Sequence, residues 1–267
     1  MNMRSAVLFL FLTLPLAAQD LLFPRFSVTG GLSTSSFDTN IRVDPDDTAG
    51  EGTLVSFEND LGLEDPQSLQ RFGLQWRPFN RHELALSHFS SQREGLEQIN
   101  REIVFRDETY RVNALVGTEF DLDYWSATYT FWALRRERSG LGISLGVATL
   151  AMDAGITAEQ PGQTVTVTQT AETEAPIALA GVQGRVAFLE RLHGEASIAT
   201  LPSVTIEDYT GTALTASARL EYRPLPWLGI GAAYQYFRLD VDVAAVDLGG
   251  SLDMTIRGPE AYVRIGF

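Results

Sequence analysis

Cysteine and lysine are both absent from this chain of 267 residues. Without cysteine, the chain can form neither a disulfide framework nor a thiolate metal site. All 20 basic residues are therefore arginines, and they stand against 34 acidic residues, for a formal net charge of −14. Because a nucleic-acid partner needs clustered positive charge to neutralise phosphates, this balance argues against nucleic-acid binding.

Long hydrophobic runs are also absent, except at the amino terminus. There Arg4 precedes an apolar stretch that ends in the small pair Ala17–Ala18. Pro15 interrupts this stretch, which is shorter than the roughly 20 apolar residues of a transmembrane helix. Such a pattern is typical of a secretory signal peptide. We predict a signal peptide over residues 1–18, cleaved on export, and one exported domain over residues 19–267.

The rest of the chain shows a period of two residues. In "ALTASARLEYRP" (213–224), apolar residues such as Leu220 alternate with polar ones such as Arg219 and Glu221. A strand with one apolar and one polar face produces this alternation. The segments "RFGLQWRP", "LGISLGVATL" and "IALAGVQGRVAF" show it as well, and none has helical spacing. The sequence therefore predicts an all-β fold.

Two all-β folds fit this pattern: a soluble sandwich or barrel with an apolar core, and a membrane barrel whose apolar face touches lipid. Tight turns and longer polar segments alternate along the chain, as do the short periplasmic turns and longer extracellular loops of outer-membrane barrels. The tight turns lie at 77–82, 136–140, 189–193 and 223–227. The longer segments lie at 37–66, 92–118, 153–176, 203–212 and 243–251. This asymmetry favours the membrane barrel.

We therefore predict a single transmembrane antiparallel up-and-down β-barrel of about ten strands. Each strand has at least the ~9–11 residues that cross a bilayer when tilted. An even number of strands places both termini on the periplasmic side. Aromatic residues lie near both strand ends, as girdles at the two membrane interfaces require. The predicted strands cover 24–36, 67–78, 82–92, 118–135, 140–153, 175–188, 192–203, 211–223, 227–242 and 251–267.

The chain ends in "GPEAYVRIGF", and apolar residues alternate up to the last position. We expect this strand to close the barrel against the first, since lipid cannot hydrogen-bond an open edge. It resembles the C-terminal signal strand of bacterial outer-membrane proteins, which implies an assembly signal in Phe267, Ile265, Val263 and Tyr262. A change of parity near Gly258–Pro259 predicts a β-bulge.

The whole exported part resembles the bacterial outer-membrane β-barrel superfamily of small porin-like barrels. "FENDLGLED" ahead of "LQWRPFNRHELALSHF" is similar to a group of uncharacterised proteobacterial barrels. The resemblance implies a location in the outer membrane of a Gram-negative bacterium and contact with its lipid and lipopolysaccharide. It also implies handling by the barrel-assembly machinery and periplasmic chaperones, and it leaves the oligomeric state open.

Ionisable residues on the polar strand faces point into the predicted lumen, where buried charges must pair. The predicted charge network consists of Arg71, Arg77, Glu83, Arg185, Glu195, Arg219, Glu221, Arg223, Glu260 and Arg264. Ten strands enclose a space that side chains can largely fill. We therefore predict a barrel with a structural or surface-interaction role. The alternative is a narrow passive channel for small polar solutes.

Catalytic candidates are few, because the chain has only 3 histidines. His88 and Ser90 share a strand face, and outer-membrane lipid A deacylases and phospholipases use a serine–histidine pair on the barrel wall. A lipid-modifying hydrolase is thus a third alternative. However, Ser91 breaks the "HxSN"-like pattern of the deacylases, and the sequence identifies no partner acid. We predict that the chain is not an enzyme.

Omptin proteases also have ten strands, but no histidine in this chain stands beside an aspartate. The acidic segments "RVDPDDTAGEG" and "FENDLGLED" lack the spacing of an EF-hand. The sequence therefore predicts no protease site, no metal and no cofactor.

Overall fold

The computed structural model describes residues 21–44, 52–105, 108–110, 112–159, 166–206, 209–245 and 248–267. The predicted signal peptide lies outside these residues, as do the loop residues Asp46, Asp47 and Glu51. In the described ranges, no helix has the length and apolar character needed to cross a membrane. Most of the described chain is β-strand.

Ten long strands form the wall within the described residues, and three short ones accompany them. The long strands are β1 Phe26–Val43, β3 Gln67–Phe79, β4 His82–Gln98, β7 Leu115–Arg135, β8 Ser139–Glu159, β9 Thr166–Ala187, β10 Leu192–Ile206, β11 Tyr209–Leu225, β12 Leu228–Ala245 and β13 Leu248–Gly266. The short strands are β2 Val55–Ser56, β5 Ile103–Phe105 and β6 Glu108–Tyr110. Neighbouring wall strands are antiparallel, and β13 pairs with β1 to close the ring. The predicted fold class, an antiparallel up-and-down barrel, is confirmed.

Alternation along each strand separates an outer face from an inner one. On β8, for example, Leu141, Ile143 and Leu145 are exposed, whereas Gly142 and Ser144 are buried. The exposed aliphatic side chains form the surface that a membrane barrel presents to lipid. The period of two in the sequence therefore corresponds to the outside and inside of the wall.

The last residue of the chain is paired on both sides of its peptide unit. The Phe267 N–H donates to the Phe26 carbonyl at 2.8 Å, and the Phe267 carbonyl accepts from the N–H groups of Phe26 at 3.1 Å and Arg25 at 2.6 Å. The ring is therefore closed up to its final residue, so β13 presents no unpaired edge there to lipid.

The strands extend farther at their outer ends than the sequence predicted. β8 continues to Glu159 and β9 begins at Thr166, so much of the predicted loop at 153–176 is a paired ladder. Strands β12 and β13 shorten the predicted loop at 243–251 in the same way. Threonine and valine, which favour strands, are frequent in these segments and continue the pairing. These two predicted loops are therefore mostly wall.

The β-bulge predicted near Gly258–Pro259 is wrong. Pairing of β12 with β13 keeps one register from Leu228↔Ile265 to Ala245↔Leu248. Even-numbered residues of β13 face inward throughout, including the buried Met254 and Ile256. The sequence suggested a change of face because the inward residues change from apolar to charged along the strand. The interior changes its chemistry there, and the backbone does not change its register.

The interior also has an apolar half at the outer end of the barrel, which the predicted charge network did not include. Phe120 and Leu122 of β7 and Phe237 of β12 are buried there. The described residues 52–66, between β1 and β3, add the buried residues Phe57 and Leu61 to this half. Side chains that would be exposed to water in an open pore are instead removed from it, which is favourable.

Candidate functional site

The interior of the barrel contains, in its periplasmic half, a chain of six paired charges. Arg185 makes a bidentate pair with Glu83, with N–O distances of 2.7 and 2.8 Å, and its Nε donates to Glu195 at 2.9 Å. Arg264 lies 3.8 Å from Glu195 and 3.4 Å from Glu221. The chain ends at Arg223, whose Nε donates to Glu221 at 2.6 Å. These six residues come from five different strands, so the network joins opposite parts of the wall.

The other four residues of the predicted charge network also face the interior, but they have different partners. The Arg71 guanidinium lies 4.3 Å from the centre of the Phe89 ring. Glu260 accepts a hydrogen bond from Gln235 at 2.8 Å. Arg219 lies 5.7 Å from the Tyr262 ring centre. Arg77 donates to the backbone carbonyl of Phe23.

A short segment before β1 closes the periplasmic end, a closure that the alternation along the strands does not predict. Phe23 packs edge-on against Trp132 with ring centres 4.9 Å apart, and both side chains are buried. Arg185 lies 4.6 Å from the Trp132 ring. A cavity beside the charge chain amounts to about 10 Å³, which is room for about one water molecule. The sequence feature that could have indicated this closure is the apolar run Leu21–Phe23, directly ahead of the first strand.

The outer end is closed by a second buried ion pair and by aromatic packing. Arg93 of β4 donates to Glu58 at 2.6 Å, and their side chains are 0% and 9% exposed. The Arg93 guanidinium also lies 4.1 Å from the centre of the Phe37 ring. Phe57 packs edge-on against Phe120 at 5.3 Å. Between this apolar half and the charge chain lies a cavity of about 220 Å³ whose lining includes Ser144, Ser197 and Ser217.

The outer face of the wall carries a histidine–aspartate pair that the sequence alone could not identify. His88 of β4 faces outward, packs against Trp125 with ring centres 4.2 Å apart and a tilt of 32°, and places Nε2 at 3.1 Å from Asp123 Oδ1. Ser90 is exposed on the same face, and the pairing of β4 with β7 sets it directly opposite Asp123. Asp123 is 35 residues from His88 in the sequence. Only the register of the two strands brings the acid to this serine–histidine pair.

The trio of His88, Ser90 and Asp123 lies where the outer face of the wall changes from apolar to polar. Below it on β4, Leu84 and Leu86 are exposed to the lipid side. Above it on the same face, Gln92 and Glu94 are exposed. Because a lipid-facing band ends where polar side chains begin, Ser90 lies at the outer edge of the apolar band.

The remaining histidines have ordinary surroundings. His82 faces outward near the periplasmic end, and its Nδ1 lies 2.7 Å from the Tyr129 hydroxyl. His193 is buried on the inner face. Among the described residues, no group of three or more histidine, aspartate or glutamate side chains is placed to hold a metal ion.

The proposed assembly residues lie on both faces of the last strand. Phe267, Ile265 and Val263 are exposed on the outside, whereas Tyr262 is buried inside. Their role in assembly stays a prediction, since the folded barrel shows only the final positions of these residues.

No protein-family model matches the chain, and no curated protein matches it. Solved structures do match. The outer membrane protease OmpT of Escherichia coli aligns with a TM-score of 0.57 at 8% identity, over 91% of this chain and 96% of that one. Ail, the attachment invasion locus protein of Yersinia pestis, gives 0.36 at 11% identity, over 89% and 99%. Neisserial surface protein A gives 0.32 at 12% identity, over 91% and 97%.

At 8% identity, the likeness to OmpT shows a common fold and transfers no activity. The closed ring of antiparallel strands with a lipid-type outer face agrees with that fold over nearly the whole of both chains. The chain therefore has the fold of an outer-membrane β-barrel.

Proposed function

We propose that this barrel does not conduct and that it acts through its outer surface, in a structural or surface-interaction role. The observation that carries the proposal is closure at both ends. Phe23 and Trp132 pack together with the charge chain at the periplasmic end. The Arg93–Glu58 pair and the apolar core occupy the outer end.

A passive channel for small polar solutes fits this interior less well. A solute would have to displace the buried ring of Phe57 or Phe120 at one end and that of Phe23 or Trp132 at the other. Protein interiors of this kind are close-packed, so displacing a ring requires a rearrangement of its neighbours. The observed packing therefore supports a wall without a permanent pore.

Planar-bilayer recordings test the closed interior. Purified protein that migrates faster unboiled than boiled is a folded barrel, and only such protein is recorded. We expect no conductance steps, with a sixteen-stranded porin in the same bilayers as the positive control. Large steps from this protein would contradict a filled lumen. Small steps that change on Arg219→Gln would support the narrow channel instead.

The partners that fit this proposal are molecules that contact the outside of the barrel wall. Outer-membrane lipid and lipopolysaccharide cover the exposed apolar band, and the assembly machinery and periplasmic chaperones handle the last strand before closure. The exposed Phe267, Ile265 and Val263 support the second part, because they form one apolar row next to an edge that is unpaired until β1 closes it.

We propose lipid-ester hydrolysis as a second candidate function, favoured by the position of Asp123. Nucleophilic catalysis needs a serine, a base and a group that orients the base. Ser90 and His88 are two residues apart on one face, about 7 Å along a strand, so their two side chains must lean towards each other to form a hydrogen bond. Asp123 holds Nε2 of His88 at 3.1 Å, so Nδ1 is the ring nitrogen left to accept the serine proton.

The hydrolase is tested with phospholipid in mixed micelles, by measuring the release of fatty acid. We expect release by the wild type and its loss in Ser90→Ala. Ser68→Ala is the matched control, because Ser68 is also an exposed outward serine, on the neighbouring strand β3. Equal release by the wild type and Ser90→Ala would rule out this candidate.

A further inference from the structure

A groove of about 630 Å³ runs across the lipid-facing surface and begins at Ser90. It crosses β4, β3, β1, β13 and β12 in that order. Gln70, His88 and Ser90 line its polar end. The exposed side chains of Phe72, Leu32, Val263 and Ile230 line the rest. This volume lies within the ~300–1,000 Å³ range of ligand sites.

The groove exists because small residues form its floor. Gly30 of β1 faces outward, and a Cβ built there would meet no atom within 4 Å. Ala261 of β13 lies beside it on the same face. The groove spans four inter-strand spacings, about 19 Å. One leaflet of the ~30 Å hydrocarbon core is about 15 Å thick, so the groove is long enough for one acyl chain.

We propose that this groove holds one acyl chain of an outer-leaflet phospholipid and presents the ester of that chain to Ser90. The inference rests on the second candidate function and names its substrate. Lipid is the occupant because the groove opens on the apolar outer face of the wall. The ester belongs at the polar end, because His88 and Ser90 lie where this face changes from apolar to polar.

The charges around Ser90 select the class of head group. Asp121 and Asp123 of β7 and Glu94 of β4 are all exposed on this part of the outer face. Their negative charge repels the phosphate-rich head of lipopolysaccharide and attracts an ammonium group. The substrate is therefore a zwitterionic phospholipid whose head group carries an ammonium, such as phosphatidylethanolamine.

The reaction uses water as its only co-reactant. Ser90 Oγ attacks the ester carbonyl carbon while His88 takes the hydroxyl proton, and the C–O bond to the glycerol oxygen breaks. That oxygen leaves with the proton held by His88. A water molecule then gives a proton to His88 and attacks the acyl-serine. The free fatty acid departs, and Ser90 recovers its proton from His88. Asp123 stabilises the imidazolium in both halves of the reaction.

The test uses a substitution that fills the groove and leaves Ser90, His88 and Asp123 unchanged. Gly30→Trp places a large ring on the groove floor. Ala180→Trp is the matched control, because Ala180 is an exposed outward residue on β9, across the barrel. We expect Gly30→Trp to slow hydrolysis of long-chain phosphatidylethanolamine at least about tenfold by misplacing the ester. Its activity on a short-chain ester, which does not need the groove, should remain, and Ala180→Trp should retain both activities.

A second measurement tests lipid binding in the groove independently of ester hydrolysis. A phospholipid with a photoreactive acyl chain should cross-link to β1 or β13 in the wild type and in Ser90→Ala, and not in Gly30→Trp. Cross-linking without any ester hydrolysis would refute the hydrolase and uphold the groove. Hydrolysis that Gly30→Trp leaves unchanged on long chains, or cross-linking that persists in that variant, would refute the groove. Faster release of acyl chains from lipopolysaccharide than from phosphatidylethanolamine would overturn the head-group assignment.

Discussion

Removing Arg185 is the sharpest test of the charge chain inside the barrel. Arg185 and Glu83 form a bidentate pair with side chains only 2% and 3% exposed. Arg185 also contacts Glu195, but Glu195 retains a second cation, Arg264, at 3.8 Å. The variant Arg185→Met therefore removes both guanidinium hydrogen bonds to the buried Glu83 carboxylate.

The expected loss is large for a single substitution. Breaking a buried ion pair by removing one partner costs about 3–5 kcal/mol, because the remaining charge stays desolvated. Adding Glu83→Gln to Arg185→Met removes that charge. The double variant should then be more stable than the single one by at least about 1 kcal/mol. It should remain below the wild type, since the contact between Arg185 and the Trp132 ring at 4.6 Å is lost in both.

Equilibrium unfolding by urea in lipid vesicles, followed by tryptophan fluorescence, measures these free energies of unfolding. Arg238→Met is the control, because Arg238 pairs with Asp240 and Asp253 at 3.0 Å but is 45% exposed. Exposed pairs contribute about 0–1 kcal/mol. A cost of Arg185→Met no larger than that of Arg238→Met would refute a role for the buried, unpaired charge. A double variant no more stable than the single variant would refute it as well.

Three further predictions concern the wall, the periplasmic end and the chain end. Leu220→Arg on the lipid face should lower the free energy of unfolding by ~2–4 kcal/mol if Leu220 lies near the midplane, and a neutral effect in vesicles would invalidate the inside–outside assignment. Phe23→Ala should cost about 3–5 kcal/mol in the same assay, because the ring is buried against Trp132. Phe26→Ala, on the outer face and 37% exposed, should cost less, and equal losses would argue against a packed periplasmic closure. Deletion of Phe267 should reduce the amount of protein in the outer membrane and increase periplasmic degradation, while the inserted fraction resists urea like the wild type; normal assembly by immunoblot of membrane fractions would contradict its role.

Most of the wall could be predicted from the sequence, because a strand of period two must place alternate residues on opposite faces. Leu220 faces lipid, and Glu221 beside it is buried inside. The tight turns also fixed where strands meet, so the predicted strand at 67–78 and the observed β3 at Gln67–Phe79 differ by one residue. Outer strand ends were predicted less well. Extended segments outside the membrane have the same local sequence pattern as loops, and only pairing with a neighbouring strand distinguishes the two.

Alternation assigns a face to each residue but does not say which residues meet across the barrel. Glu83 and Arg185 are 102 residues apart and touch only because the ring closes. Asp123 reaches His88 because β4 and β7 pair across an intervening segment of the chain. Phe23 lies ahead of the first strand, where no periodicity exists to predict its burial. The sequence by itself determined the strands, their two faces and the membrane they suit. The tertiary structure decided the closed ends, the paired charges and the Ser90, His88 and Asp123 trio, because those contacts depend on register and curvature, which no local pattern of residues specifies.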